Sequence, residues 1–440
     1  MSAYLSSKPK GIKFLFRTLW YRNYRLFYIG HGTSLIGTWM TNVAISWLVY
    51  RMTGSPFLLG VVAFSSQIPS FVLAPIAGVL IDRWDKRKLI MGAQVMAMAQ
   101  ALALALLTFT GIIQIWHIII LRLFQGLVNA LDIPARQAFI VDMVEDKNDL
   151  GNAIALNSSM FNGARMIGPA IAGVIIALIG EWLCFFLDSL SYLAIIFALI
   201  SMNFMPKQSQ DNKKPLSHGL REGASYAFGF EPIRAILLIV ALLSIFGYPY
   251  LVLMPVFAKD ILAGGPHALG FLMGATGLGA VAGAIFMASR KTVVGLGKVM
   301  VFSISAFGIG IVLFSLSRNL YLSIALLLFT GFGMMVQMAS ANTLLQTIVD
   351  DDKRGRVMSF YAMSFMGMAP FGSLLAGSLA SKLGAPTTNI IGGSICLLGA
   401  AIFARNLPRL REMVQPIYAK LGIIPEVAEG MQSATRIPGP

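Results

Sequence analysis

Charge is scarce in this chain. Of its 440 residues, 12% are charged and 57% are hydrophobic, the reverse of the balance that keeps a soluble surface wetted, so a water-soluble fold is excluded. Cysteine is nearly missing: Cys184 and Cys396 are the only two, each inside an apolar stretch, which rules out a disulfide framework. His31, His117, His218 and His267 are dispersed without metal-ligand spacing, and no serine sits in a nucleophile elbow. Gly297-Lys298 is followed by Val299, without the hydroxyl and spaced glycine of a phosphate-cradling loop. No metal and no cofactor are expected, direct use of ATP is disfavoured, and a membrane-embedded enzyme is left as a distant alternative.

Long apolar stretches take the place of those features. Segments of about 20 residues recur along the chain, each long enough to cross a hydrocarbon core of roughly 30 Å as a helix. Twelve spans are predicted, at 24–50, 56–81, 89–110, 116–141, 151–179, 182–204, 233–259, 266–288, 298–316, 320–349, 355–383 and 386–404. On this assignment one side holds only Arg51, Lys259, Arg318 and Lys382, while nearly all other Lys and Arg lie on the opposite side. Both termini are therefore expected in the cytoplasm of a bacterial cell, with the chain multi-pass in its inner membrane. The net charge of +15 follows from that topology and from attraction to anionic lipid, so no nucleic acid is expected as a partner.

The longest polar interruption, 205–232, contains MPKQSQDNKKPLSHG, a composition of flexible connectors. A short surface helix is expected within it, from Leu220 to Phe230. The chain thus divides into a basic cytoplasmic segment (1–23), a six-helix bundle (24–204), a cytoplasmic linker (205–232), a second six-helix bundle (233–404) and a partly disordered tail (405–440) rich in proline. An internal repeat supports the division, because Leu123 to Asp149 aligns with Leu328 to Arg354 at an offset of about 205 residues, sharing a Leu-Phe-x-Gly start and an acidic cluster at the far end. Parallel repeats of this kind place a polar path at mid-membrane between two rocking halves.

Three motifs sharpen the reading. GVLIDRWDKRKLI (Gly78 to Ile90) joins the second and third spans, with Gly78 allowing close helix approach and Asp82 and Arg83 able to bond a neighbouring helix. RLFQG (Arg122 to Gly126) sets an Arg four residues before a Gly. GARMIGPAIAG (Gly163 to Gly173) makes a small, kinked face from Gly163, Gly168, Pro169 and Gly173 around Arg165. These resemble the loop, fourth-helix and fifth-helix signatures of the major facilitator superfamily, although Asp85 stands where a second Gly is usual and Lys86 where Arg is usual. RNYRLF (Arg22 to Phe27), TGSPFLLG (Thr53 to Gly60), LDIPARQA (Leu131 to Ala138) and RGRVMS (Arg354 to Ser359) resemble most closely the branch of enterobactin exporters, macrolide efflux proteins and lysophospholipid transporters. The resemblance implies an all-α membrane fold of two pseudo-symmetric six-helix bundles. It also implies an inner gate formed by Gly78, Asp82, Arg83, Lys86 and Arg87, and a fifth-helix packing face of the exporter and antiporter type.

Ionisable groups inside spans are costly and usually face a partner or a cavity. At about 1.5 Å per residue, Arg122 and Asp188 lie roughly 8 and 10 Å from one face, and Arg165 roughly 21 Å from the other. Asp188 is expected to compensate Arg165 or Arg122, either as a purely structural charge pair or leaving the other Arg to meet an anionic or polar cargo. Arg122, Gln125, Arg165, Asp188, Gln337 and Asn342 are the candidates for the cargo or proton path. Asp132 and Arg136, one turn apart beside Pro134, are assigned to the inner gate. The expectation is a monomeric, alternating-access secondary transporter, with protons as the coupling ion, exporting a small organic molecule such as a siderophore or drug. A lysophospholipid flippase or importer of the same fold is the alternative.

Overall fold

The structure, a computed structural model, describes residues 16–423 apart from 145, 203–224, 291 and 351, and for 74–83 and Lys147 the backbone alone. Among the described residues the fold is all-helical. After a 3₁₀ turn at Arg17–Trp20, the first half comprises α1 (Arg22–Thr53), α2 (Pro56–Arg83), α3 (Lys86–Phe109), α4 (Ile115–Met143), α5 (Leu150–Leu178) and α6 (Glu181–Ser201). The second comprises α7 (Glu231–Ile261), α8 (Pro266–Ser289), α9 (Leu296–Leu316), α10 (Leu320–Ile348), α11 (Arg354–Leu383) and α12 (Ala385–Lys420). All but α1 are, by length and composition, apolar enough to cross a membrane. The polar residues of α1, among them His31, Ser34, Thr38 and Thr41, dilute its hydropathy and are buried or half-buried against its neighbours.

Local chemistry sets the helix ends. Asp85 caps α3, accepting from the backbone N–H of Arg87 at 2.9 Å and of Lys88 at 3.3 Å. A glycine at that position could not do this, which accounts for the departure from the family loop pattern. Asn319 caps α10 in the same way, at 3.1 Å from the N–H of Leu322. Gly54 closes α1 with φ of 59°, a left-handed turn that is inexpensive only for residues without a Cβ.

Neighbour relations repeat between the halves. Helix α1 packs on α5 and α6, α2 on α4, and α3 on α4 and α6; in the same way α7 packs on α11 and α12, α8 on α10, and α9 on α10 and α12. The two seams joining the halves, α5 with α8 and α2 with α11, exchange under the same pairing. The molecule is therefore two copies of one six-helix arrangement about a pseudo-two-fold axis, as the repeat predicts. Lys86, Arg87, Arg290, Lys298 and Arg354 stand at the loop ends on one side of the bundle, here called the basic end. Arg51, Lys259, Arg318 and Lys382 stand at the opposite, charge-poor end.

Two differences from the sequence reading have clear causes. Helix α12 does not stop near 404 but runs through Pro408 and Pro416 to Lys420. The tail is thus ordered helix as far as Lys420, and residues 424–440 lie outside the described residues. Leu407 packs on Gly297, Leu410, Val414 and Tyr418 are buried, and Arg409 pairs with Glu231 of α7 at 2.8 Å. The prolines concealed a helical stripe. Of the surface helix expected from Leu220 to Phe230, the first part lies outside the described residues and 225–229 are helical.

Helices α7 and α11 are broken near their middles, each by a π-helical turn, Leu243–Gly247 in α7 and Met363–Gly367 in α11. The turns meet: Ser244 Oγ donates to the Phe365 carbonyl at 2.5 Å, supplying a partner to one of the groups that such a break sets free.

Candidate functional site

The seams are closed from mid-depth to the charge-poor end by missing side chains. A Cβ on Gly173 of α5 would come within 2.9 Å of Gly270 Cα in α8, and one on Gly277 of α8 within 2.7 Å of Met166 Cα in α5. On the other seam a Cβ on Gly60 of α2 would meet the Ser373 carbonyl at 2.7 Å, and one on Gly377 of α11 the Pro56 carbonyl at 2.8 Å. Backbones approach this closely only where small residues line both surfaces. Near the charge-poor end Tyr50 of α1 donates to the Asp260 carboxylate of α7, and Lys259 Nζ lies 5.5 Å from the Tyr50 ring centre. Gln67 of α2 donates to Ser373 Oγ of α11 at 3.4 Å.

The fifth-helix motif divides its work accordingly. Gly173 faces α8, and Gly168 faces α1, where a Cβ would meet Trp39 Cβ at 2.6 Å. Gly163 meets nothing within 4 Å, so the structure removes it from the packing face. Five residues separate it from Gly168, which turns it well away around the helix.

Arg165 lies at the centre of the molecule. Its guanidinium is 5.8 Å from the Trp39 ring centre of α1, and its Nη2 is 3.5 Å from Met334 Sδ of α10 across the seam. Tyr248 and Tyr250 of α7 are close enough to act on it electrostatically. Among the described residues no carboxylate lies within ion-pair distance of it. Tyr248 donates to Gln337 Oε1 at 2.8 Å and packs edge-on against Phe307 and Phe365. Gln337 is thus a buried second-half partner of the same centre. Asn342 is set apart from it, accepting from Gln346 at 2.5 Å one turn on. The π turn of α11 reaches the first half through Gly367, against the Phe71 ring of α2, and Phe371 stacks edge-on with Phe71 and Phe64. The result is a seam of aromatic and thioether groups around one uncompensated cation. Sequence reasoning missed Tyr248, Trp39 and Met334. Pro249 and Pro255, in YPYLVLMP, were the available sign that α7 breaks here.

Asp188 faces into the first half, not toward Arg165. Its electrostatic neighbour is Arg122, which does not close to ion-pair distance. Ser191 donates to Asp188 Oδ1 at 3.5 Å and Thr41 lies beside it. Gly37 of α1 makes the room, since a Cβ there would come within 2.6 Å of both Asp188 Oδ1 and Ser191 Oγ.

Asp132 and Arg136 lie on α4 one turn apart, as expected. Both sit inside the first half, about 16 and 10 Å from the basic end of α4, paired at 2.8 Å. Gln94 of α3 donates to Asp132 at 2.8 Å, and Arg136 Nη1 donates to the His31 ring of α1, closest to its Nε2. Gln125 lies in the same region, donating to Asn129 at 3.0 Å. His31 and Gln94 were not foreseen, because nothing in the linear spacing shows that α1, α3 and α4 converge.

Of the loop motif, Lys86 pairs with Asp142 at 2.7 Å and Arg87 donates to the Ile200 carbonyl at 3.0 Å, both within the first half. The side chains of Gly78, Asp82 and Arg83 lie outside the described residues. Arg17 pairs with Asp149 at 2.5 Å beside Tyr21, which donates to the same carboxylate at 2.9 Å, fastening the start of α1 to that of α5. Burial and the Asp149 carboxylate push the Tyr21 phenol up to about 12, so it remains a donor at any physiological pH.

A two-fold pair of six-helix membrane bundles meeting around a polar centre is the build of a major facilitator transporter. The chain belongs to the family described as transmembrane secretion effector, whose model matches residues 15–426. It is 26% identical to the staphyloferrin A transporter of Staphylococcus aureus, over 88% of this chain and 97% of that one. It is also 26% identical to the multidrug efflux pump Tap of Mycolicibacterium fortuitum, over 87% and 94%. In fold it is similar to a bacterial homologue of the human lysosomal transporter Spinster, solved inward-facing and occupied, with a TM-score of 0.70 at 12% identity, covering 90% of this chain and 97% of that one.

Proposed function

We propose that this chain is a proton-coupled exporter of amphipathic small organic molecules that carry an anionic or strongly polar group, working by alternating access in a bacterial cytoplasmic membrane with both termini in the cytoplasm. The observation that carries the reading is Arg165, a cation without a carboxylate partner among the described residues, held mid-seam among Trp39, Tyr248 and Met334. An unpaired charge at that depth is costly unless something meets it, and an anionic group on a cargo is what a guanidinium recognises through paired hydrogen bonds. The surrounding rings and thioether accept varied apolar shapes. A siderophore transporter and a drug efflux pump among its relatives agree with a cargo of this class. On this orientation the glycine-lined seams form the seal on the outer side.

Asp188, paired loosely with Arg122 and removed from the cargo seam, is the proton carrier in this reading. Accumulation of organic anions, siderophores, macrolides and lysophospholipids is to be compared in cells lacking the protein and in complemented cells. Arg165→Gln, inserted at normal levels, should lose export about tenfold or more, the worth of one charge-assisted contact. Arg165→Lys should recover only part of it. Full export by Arg165→Gln would remove the cargo role, and lysophospholipid entry with no efflux phenotype would favour the flippase.

A further inference from the structure

A cavity of about 50 Å³ lies wholly within the first half, between α1, α3, α4 and α6. Its wall is mixed: His31, Thr38, Gln125, Asp132, Arg136 and Tyr192 supply polar groups, and Leu35, Ala97 and Val128 apolar ones. At roughly 10–15 Å³ per enclosed water it has room for about three. Two buried atoms beside it have no protein partner, Gln125 Oε1 and Arg136 Nε, and the Gln125 residue is more than nine-tenths buried. Buried acceptors and donors left unmatched by protein are satisfied by ordered water when the space is polar and large enough.

The cavity joins two groups that the transport reading had kept apart. Toward the charge-poor end Thr38 Oγ1 and the Tyr192 hydroxyl are 3.4 Å apart, and Tyr192 stands one turn from Asp188 on the same face of α6. Toward the basic end lies Asp132, held by Gln94 and Arg136, with His31 taking another N–H of the same guanidinium. Arginine has no acceptor, so the His31 nitrogen facing it carries no proton and accepts the guanidinium N–H. The charged and titratable groups around this line are Arg122, Asp188, Tyr192, Asp132, Arg136 and His31. Arg165 and the cargo seam are not among them.

We propose that the first half holds its own water-filled proton path, running from Asp188 through Tyr192 and the cavity to Asp132, separate from the path of the cargo, with His31 as the acceptor for Arg136. This rests on the reading of Asp188 as proton carrier. In the step proposed, the O–H bond of protonated Asp188 breaks and its proton passes to the Tyr192 hydroxyl oxygen, which releases its own proton to cavity water. The water chain then delivers a proton to the Asp132 carboxylate, forming a new O–H bond. Asp132 thereby loses its charge attraction to Arg136, which remains a cation and turns to His31. Loss of the proton from Asp132 toward the basic end restores the pair. No other reactant is consumed.

Infrared difference spectroscopy across a pH change reads this without a cargo. The full chain, in vesicles of phosphatidylethanolamine and phosphatidylglycerol, is compared in ordinary and ¹⁸O-labelled water. The wild type should show two carboxylic acid C=O bands, one lost in Asp188→Asn and the other in Asp132→Asn, each variant shifting the band that remains. Gln125→Leu should abolish an ¹⁸O-sensitive band of enclosed water, and Tyr192→Phe should leave both acid bands but break their mutual shift. The amide band in the same spectra reports whether each variant is folded. If Asp132→Asn leaves both bands in place, or Gln125→Leu keeps the water band, the path is refuted while the transport reading stands. If the bands couple as described but vesicles show no transport driven by a proton gradient, the transport reading fails and the path survives as a local device.

Discussion

Single residues show how much depends on side chains that are missing. Gly37 and Gly163 are both glycines within membrane helices, yet they predict opposite outcomes. A Cβ at Gly37 runs into Asp188 and Ser191 at 2.6 Å, so Gly37→Ala should destabilise by about 1–3 kcal/mol through overpacking and disturb the acid. Gly163 faces open space, so Gly163→Ala should be neutral or stabilise by about 0.5–1 kcal/mol through lower chain entropy and better helix propensity. Thermal unfolding in detergent distinguishes the two, and equal effects would contradict the packing described. Nothing in the linear order of residues separates them, since a glycine's neighbours are set by other helices. Buried charges were easier to read. Arg122, Arg165 and Asp188 stand out of apolar stretches because such groups need a reason to be there. Which arginine takes the acid depended on helix rotation: Asp188 turns to Arg122, leaving Arg165 on the seam.

Among the elements, those with regular apolar runs were legible to within about three residues, because a span is fixed by a bilayer's thickness and ended by turn chemistry. Irregular ones were not. The π turns of α7 and α11 depend on each other through the Ser244 to Phe365 bond. Ser244→Ala should therefore cost about 1–3 kcal/mol by leaving a buried carbonyl unmatched, whereas Ser244→Thr, which keeps the hydroxyl, should cost less if its methyl is accommodated. Melting temperatures of the two variants check this. The extension of α12 was hidden because Pro408 and Pro416 read as breakers, while its evidence lay in Leu410, Val414 and Tyr418 finding a surface to cover. Ending the chain after Arg405 should lower thermal stability clearly. Arg409→Ala alone should change it by less than about 1 kcal/mol, because that side chain is 72% exposed and solvent screens its pair with Glu231.

At the scale of the molecule, the repeat visible at Leu123 and Leu328 becomes a two-fold arrangement in which every principal packing relation of one half has its counterpart in the other. The functional chemistry does not follow that symmetry. The first half carries the buried acids Asp132, Glu181 and Asp188, and the second contributes the broken helices and the aromatic wall. Under the proposed function this is a division of labour, with proton chemistry inside the first half and cargo contact on the seam around Arg165. On the proposed export cycle, the glycine contacts that close the seams between Gly60 and Gly377 and between Gly173 and Gly270 are the parts that separate for the cargo to leave. The most direct test places spin labels across the halves at both ends, at Phe57 and Leu383 near the charge-poor end and at Lys88 and Ser359 near the basic end, with Cys184 and Cys396 replaced by serine. Pulsed electron resonance distances are then measured in lipid nanodiscs at alkaline and acid pH. The account predicts that the charge-poor pair moves apart as the basic pair draws together; both distances changing in the same sense, or neither changing, would contradict it.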